Sequence, residues 1–417
     1  MVEQAESHTA GSLLFALAGR ADADNIVPVI WEVSKDGRHC DVIVADRELF
    51  DSLSNAWWRV ERPSVQLHSV IDSDHPPTLG QRLRRIARNR WVLRRFLKRQ
   101  ATKLVVVQWG GGIAHDSSSF IRRAIRWWST GFAVQLQHAA SDLGIPVVAL
   151  PHGHSTKVNL VASRHVQETK NAHGGKLPFA DRDSFAAYVF CSEYHREAVV
   201  GGSTMSGENV QVWGSARFND VWVPKLYAES KEANLPKMPT SAIRRVLFFV
   251  PKWQNLVDRL ETMRLIEALG SEQRIQLVMR GHLRAEAAAL EPREKALLES
   301  GGVVLVTDDV TSPSLIKACD VVVDVDSSIA FDAIILGKPY VRPRYLQDSS
   351  VVTIWDSLGG AYQPSSLKET LDLLTTPSLM PAKRDPTFDD VVFGGRGSEV
   401  LARYAEGLRA IANYKRV

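Results

Sequence analysis

The sequence predicts an α/β protein made of two doubly wound domains. Runs of β-branched residues, such as 246–250 and 321–325, alternate with patterns of helical period, which is typical of parallel sheets covered on both faces. The length of 417 residues exceeds what one hydrophobic core usually holds. A polar, proline-bracketed stretch separates the two blocks. We therefore expect domains at 1–224 and 241–417, a linker at 225–240, a cleft between the domains, and a last helix able to pack back on the first.

Composition indicates a cytoplasmic globular protein. Apolar residues make up 45% of the chain and charged residues 24%, which excludes a disordered protein. The three cysteines, Cys40, Cys191 and Cys319, are far apart, which favours reduced, buried thiols. No apolar run reaches membrane-spanning length, and no basic region precedes the first apolar run as in a signal peptide.

The first domain begins with predicted strands at 12–17, 27–33 and 40–45. Later strands are predicted at 104–108, 144–150, 185–191 and 210–213, with a helix at 132–143. Trp109 and three glycines turn the chain after the strand at 104–108. Among these, Gly110 and Gly111 permit close backbone approach to an acceptor.

A basic helix is predicted at 81–103, where ten Arg and Lys residues occur without an acid. Apolar residues recur there at helical spacing, and Trp91 adds an amphipathic ring. Three interpretations stay open: contact with an anionic membrane surface, a solvated helix paired with acids elsewhere, and nucleic-acid binding. A second basic and aromatic segment, 120–132, favours the membrane, and nothing else resembles a nucleic-acid module.

The second domain has predicted strands at 246–250, 276–279, 303–306, 321–325 and 351–354. Predicted helices lie at 256–269, 313–318, 367–374 and 398–414. A further helix opens at Asp326 and two serines and ends at Gly337, where glycine can adopt the left-handed cap conformation, and Pro339 begins the next strand.

A phosphate site is predicted where a strand ends and a helix begins at Ser327 and Ser328. Free backbone N–H groups and the helix dipole favour an anion there, and the hydroxyls add donors. The alternative is that one serine only caps the helix. Asp332, one turn further, could bond a ribose hydroxyl or lie on the helix surface.

Two histidines follow predicted strands, one in each domain. His152 lies in a tight turn that presents its ring, which suits a general base, although a structural turn histidine is the alternative. His282 follows Arg280, and this pair suits phosphate binding. Arg217 is either a third anion contact or a surface arginine.

Several catalytic patterns are missing from the sequence. It has no P-loop, HExxH, CxxC or GxSxG motif. His154 lacks further ligands at zinc-binding spacing, and we place it with the acceptor side. We expect neither a metal nor another cofactor.

These motifs together resemble a known group of enzymes. His152–Gly153, the series Gly214 to Asp220, Arg280 to Arg284, and Asp326 to Ser328 with Leu336 to Pro339 occur in that order. This order resembles the CDP-glycerol glycerophosphotransferase-like and surface-polysaccharide glycosyltransferases of the GT-B fold. The C-terminal helix is also similar to that of the non-hydrolysing UDP-GlcNAc 2-epimerases. The sequence departs from the first group at Arg280–Leu283, Ala216–Arg217 and Asp332.

The resemblance implies a nucleotide-sugar or nucleotide-polyol donor held by the second domain. It implies His152 as general base toward a glycan or lipid-linked acceptor, with His282, Ser327 and Ser328 holding the donor phosphates. We therefore expect a glycosyltransferase or polyol-phosphate transferase of cell-surface polysaccharide synthesis, peripheral to the cytoplasmic membrane. The alternatives are a sugar-nucleotide epimerase, which needs paired acids that the strand ends do not show, and a non-catalytic scaffold.

Overall fold

The chain divides into two compact units in a computed structural model. Unit 1 comprises Met1–His152, Lys176–Trp222 and Asp390–Val417, and unit 2 comprises Gly153–Gly175 and Val223–Asp389. The structure describes residues 11–44, 50, 62–69, 79–113, 132–151, 160, 163–230, 233–280, 291–292, 294, 296, 298, 301–306, 310–325 and 327–413, without the side chains of 20, 21, 79–87 and 229.

Unit 1 contains a sheet of seven parallel strands in the order β3-β2-β1-β4-β5-β6-β7. β1 lies between β2 and β4, with Leu13 opposite Cys40 of β2 on one side and Leu104 of β4 on the other. The strands are β1 (Leu13–Leu17), β2 (Cys40–Val44), β3 (Val65–Ser69), β4 (Leu104–Gln108), β5 (Val147–Leu150), β6 (Ala187–Phe190) and β7 (Val210–Val212). The sequence did not predict β3, because its residues VQLHS are polar and half-buried.

The first helix of unit 1 occupies a segment that we predicted as a strand. Helix α1 (Arg20–Val33) buries Ile26, Ile30 and Val33 completely. These positions are separated by four and three residues, so the apolar run follows a helical period rather than the alternation of a strand. The strand prediction at 27–33 is wrong, because it rests on the β-branched residue types and not on the helical spacing of the apolar residues.

The predicted basic helix is present as α2 (Leu79–Arg99). It buries Leu93, Phe96 and Leu97, while Trp91 is 60% exposed. The remaining helices within unit 1 are α3 (Phe132–Ser141), α5 (Glu193–Gly201) and α13 (Glu399–Asn413).

Unit 2 contains a second parallel sheet, of five strands in the order β10-β9-β8-β11-β12. These strands are β8 (Arg244–Phe249), β9 (Ile275–Arg280), β10 (Val304–Val306), β11 (Val321–Val323) and β12 (Tyr340–Val341). Its helices are α4 (Arg164–Ala172), α7 (Arg259–Ser271), α8 (Ser312–Ala318), α9 (Ile329–Ile335), α10 (Ile354–Leu358) and α11 (Leu367–Leu374).

The strand predicted at 351–354 is instead the entry to helix α10. Thr353 is the N-cap residue, and its backbone N–H donates to the Asp356 carboxylate at 2.7 Å. This reciprocal capping box commits the segment to a helix start, although its apolar residues Val351 and Ile354 are buried as in a strand.

Two helices cross a division between the units: α6 (Trp222–Glu229) and α12 (Phe388–Phe393). Helix α6 occupies the beginning of the segment that we predicted as a linker, so residues 225–229 are helical. The C-terminal helix α13 belongs to unit 1, where it packs against α1.

Candidate functional site

Each sheet has one point at which the strand order reverses. In unit 1 this point lies between β1 and β4, and in unit 2 between β8 and β11. The loops at the carboxyl ends of such neighbouring strands diverge to opposite faces, which leaves a crevice where open α/β sheets bind ligands. Ligand-binding residues are therefore expected at these two edges, one in each unit.

Arg280 is the last residue of β9 and is 4% exposed. Its Nη1 donates to the hydroxyl of Ser312 at 2.9 Å, and Ser312 is the first residue of α8. This contact brings the carboxyl end of β9 and the start of α8 together, so a fixed guanidinium lies at the edge of the sheet in unit 2.

Ser327 and Ser328 follow β11 at the same edge. The backbone N–H of Ser327 donates to the Asp324 carboxylate at 2.8 Å, and the Ser327 hydroxyl accepts from the N–H of Ile329 at 3.3 Å. Ser328 is the N-cap residue of α9, but its side chain makes no capping hydrogen bond. The hydroxyl that caps the start of α9 is therefore that of Ser327, and the Ser328 hydroxyl takes no part in capping.

Asp332 lies inside unit 2 rather than on the surface of α9. It is 2% exposed and accepts a hydrogen bond from the Tyr227 hydroxyl at 3.2 Å. The surface alternative is therefore wrong. Helix α9 ends as predicted, with Gly337 in the left-handed region at φ 66°.

Unit 1 presents glycines where β4 ends. A Cβ at Gly110 would lie 3.6 Å from the Gln108 carbonyl oxygen, which is an ordinary van der Waals contact. A Cβ at Gly112 would lie 1.8 Å from the Asp181 carbonyl oxygen, so only glycine fits that position. The close packing brings the Asp181 carboxylate to within 3.2 Å of the Cβ position of Gly111. Asp181 could not be singled out from the sequence, because it precedes β6 rather than following a strand.

The motif that contains Arg217 has a structural role in unit 1. The Arg217 guanidinium lies 3.4 Å from the Asp24 carboxylate of α1 and is buried, so it is not a surface arginine. Nearby, the Gly214 carbonyl accepts from the Tyr404 hydroxyl at 2.7 Å, and the Ser215 N–H donates to the Phe393 carbonyl at 2.7 Å. This part of the motif holds the C-terminal segment to the sheet of unit 1.

Three predicted site residues, His152, His154 and His282, lie outside the described residues. The second basic segment, 120–132, does so as well except for Phe132, where α3 begins. The roles given to these residues stay predictions.

Burial raises the pKa of all three cysteine thiols to about 12, as expected for inert buried thiols. Within the described ranges, no three His, Cys, Asp or Glu side chains cluster closely enough to hold a metal ion. None of the helices in those ranges is both long and apolar enough to cross a bilayer.

Several solved structures share this architecture. A UDP-GlcNAc 2-epimerase from Neisseria meningitidis, solved with UDP-GlcNAc bound, is 15% identical with a TM-score of 0.51, over 97% of this chain and 94% of that chain. A UDP-N-acetylglucosamine 2-epimerase from Rickettsia bellii is 13% identical with a TM-score of 0.53, over 96% of each chain. A glycosyltransferase from Rickettsia africae is 11% identical with a TM-score of 0.51, over 98% of this chain and 100% of that chain.

No family model matches the sequence. No curated protein matches it in sequence either. At these identities the structural likeness defines the fold alone: the chain has the GT-B fold of two Rossmann-like units, as predicted. The closer resemblance to the CDP-glycerol glycerophosphotransferase-like group stays a prediction.

Proposed function

We propose that the chain is an enzyme that binds a nucleotide-activated sugar through unit 2. The observation that carries this proposal is the group of donors at the carboxyl edge of the second sheet. There Arg280 is fixed by Ser312, and Ser328 has a hydroxyl that does not cap its helix. A guanidinium and hydroxyls at this edge suit the two phosphates of a nucleoside diphosphate.

Epimerisation of the sugar is the reaction that the comparisons favour over the transfer expected from the sequence. Two of the three structures described above are named UDP-GlcNAc 2-epimerases. Proton exchange at a sugar carbon needs an acid or base, and the Asp181 carboxylate, which packs beside Gly111 in the chain that follows β4, is a candidate for it in unit 1. The sequence had ranked this reaction second because it showed no such acid.

A thermal-shift panel tests the nucleotide site. UDP, CDP, GDP, UMP and CMP are added to the wild type, to Ser328→Ala, and to Ser349→Ala, the same change at an exposed serine of unit 2. A ligand that binds only the folded state raises the melting temperature by mass action. We expect one diphosphate to stabilise the wild type and the control, and to stabilise Ser328→Ala less. No shift with any nucleotide would refute the site and favour a non-catalytic scaffold.

Proton NMR in D₂O tests the reaction. The protein is incubated with UDP-GlcNAc without an acceptor. An epimerase produces a second UDP-sugar that carries deuterium at the inverted carbon, and Asp181→Asn slows this exchange while nucleotide binding persists. If the nucleotide binds and no exchange occurs with any UDP-sugar, epimerisation is refuted.

Transfer to a glycan or lipid-linked acceptor at a membrane surface is the second candidate. The observation that favours it is helix α2, where Trp91 is 60% exposed and Arg88, Arg94, Arg95 and Lys98 are exposed as well. A basic helix with an exposed indole suits an anionic lipid surface. Asp142 pairs with Arg90 at 2.5 Å, so this acid neutralises part of the helix.

Sedimentation with vesicles tests that candidate. We expect binding to vesicles that contain phosphatidylglycerol, little binding to pure phosphatidylcholine vesicles, and a several-fold loss in Arg94→Gln/Arg95→Gln. Lys368→Gln, an exposed basic residue on a helix of unit 2, is the control. Equal sedimentation of all variants would show that α2 is only a solvated helix.

A further inference from the structure

Arg182 lies in a short 3-10 helix, Ala180–Ser184, directly before β6. It is 7% exposed, which is uncommon for an arginine that contacts no charged partner among the described residues. Its Nε and Nη1 atoms are buried and make no hydrogen bond within the described part of the chain. Burial lowers the pKa of Arg182, but an arginine stays protonated at neutral pH. The site therefore holds a buried positive charge with unused donors.

Aromatic rings hold this guanidinium in place. Its central carbon lies 3.2 Å from the ring centre of Phe179, 4.8 Å from that of Trp109 and 5.5 Å from that of Tyr188. Such contacts attract the cation, but a ring face accepts no N–H hydrogen bond of full strength. The rings orient the charge without satisfying its donors.

The polar groups nearest in sequence to Arg182 already have partners. The Asp183 carboxylate accepts from the Ser206 N–H at 3.0 Å. The Ser184 hydroxyl donates to the Asp181 carbonyl at 2.7 Å and accepts from the Ile113 N–H at 2.9 Å. The Asp181 charge acts on Arg182 through space and raises its pKa, but it accepts no hydrogen bond from Nε or Nη1.

Arg182 packs against the chain that leaves the reversal point of the first sheet. Trp109, whose ring it contacts, directly follows β4, one of the two strands at which the strand order of unit 1 reverses. Arg182 itself lies before β6, so it reaches this chain by packing rather than by following a strand. A buried donor group left without an acceptor is destabilising, more so when it is charged, and a bound anion would remove that cost.

We propose that Arg182 anchors an oxyanion-binding site in unit 1, which takes a carboxylate or phosphate group of a small-molecule ligand. Both groups match the planar donors of a guanidinium. The site is assigned to residues of unit 1, whereas the nucleotide site proposed above is assigned to residues of unit 2, and it does not depend on which reaction the protein catalyses.

Thermal melting with inorganic phosphate or acetate, at ionic strength held constant with sodium chloride, tests this site. The proteins are the wild type, Arg182→Gln and, as an exposed arginine of the same unit, Arg196→Gln, each also made with Ser328→Ala to weaken phosphate binding at the proposed nucleotide site. In the presence of Ser328→Ala, we expect a saturable rise in melting temperature in all except the variant with Arg182→Gln, whose apparent affinity falls at least tenfold. The anion with the larger shift identifies the group.

Hydrogen exchange of the wild type provides a second measurement that does not require a folded variant. Phosphate or acetate should protect peptides that cover 104–113 and 177–190. An equal shift in Arg182→Gln, a shift lost only in Ser328→Ala, or no protection of these peptides would each overturn the proposal. Retained nucleotide binding in Arg182→Gln would show that the two sites succeed or fail separately.

Discussion

Each unit buries an arginine against the chain that leaves its parallel sheet, and the two arginines have different partners. In unit 2, Arg280 at the end of β9 donates to Ser312 and so ties this strand to helix α8, which follows β10. In unit 1, Arg182 is enclosed by Phe179, Trp109 and Tyr188, while two of its nitrogens lack an acceptor among the described residues. The first arginine contributes to the structure whether or not a ligand is bound. The second is completed only by a ligand.

The difference shows that burial alone does not reveal the role of a charged side chain. Replacing a buried arginine whose donors are all hydrogen-bonded leaves their acceptors unpaired. Replacing one without acceptors removes a desolvated charge and leaves no acceptor unpaired. The stability of matched arginine-to-methionine variants should therefore rank buried arginines by how completely they are bonded.

Arg342→Met should have the largest effect. Arg342 is 0% exposed and directly follows β12; its Nη1 donates to the Gln363 side chain at 2.7 Å and its Nη2 to that of Gln347 at 2.6 Å. We expect a loss of about 3–5 kcal/mol, because both glutamines lose a charged partner. Urea unfolding, with hydrogen exchange to separate the units, measures it. A loss below about 1 kcal/mol would contradict the ranking.

Arg280→Met should lose less, about 1–3 kcal/mol, because its bond to Ser312 joins β9 to α8. The same urea experiment should show the change in peptides of unit 2. Ser312→Ala is the matched control for the other partner of this bond. If Arg280→Met were more stable than wild type, the hydrogen bond of Arg280 would contribute no stability, and the contrast drawn between Arg280 and Arg182 would be wrong.

Asp41→Asn tests a buried charge of unit 1 that does have partners. Burial raises the pKa of Asp41, but the hydrogen bond from His68, at 2.6 Å, together with the nearby Ser12 and His39 side chains, outweighs it and holds the pKa below its usual value. A lowered folded-state pKa gives stability that is present above the unfolded value of about 4 and is lost as pH falls through the folded value.

We expect Asp41→Asn to lose about 1–2 kcal/mol at pH 7. The gap from wild type should narrow as the pH falls below about 4. Urea midpoints at pH 7, 5 and 3 measure the gap. A gap that stays constant with pH would show that the charge of Asp41 contributes nothing.

Arg182→Met should have the smallest effect on stability. We expect a change within about 1 kcal/mol of wild type, and a gain is allowed, because no described acceptor loses its partner. Urea unfolding read from peptides of unit 1 measures it. A loss as large as that of Arg342→Met would mean that Arg182 has structural partners, and the oxyanion site would lose its support.

The sequence predicted most of the strands because buried parallel strands are short apolar runs, as at β4 and β9. It failed at α1, where the same residue types recur at helical spacing, and at β3, whose residues are polar. The serines of α9 could be located from their place after a strand. Asp181 and Arg182 could not, because they reach Gly111 and Trp109 only through packing between segments about 70 residues apart.

The attachment of residues 390–413 to unit 1 affects the order in which the two units can complete their folding during synthesis. The Tyr404 ring lies 5.3 Å from that of Trp213, and Arg409 pairs with Asp36. A ribosome therefore completes both segments of unit 2 before it releases the helix that covers α1 and Trp213. Unit 2 can close its core during synthesis, whereas unit 1, begun first, must wait with apolar surface uncovered until α13 emerges.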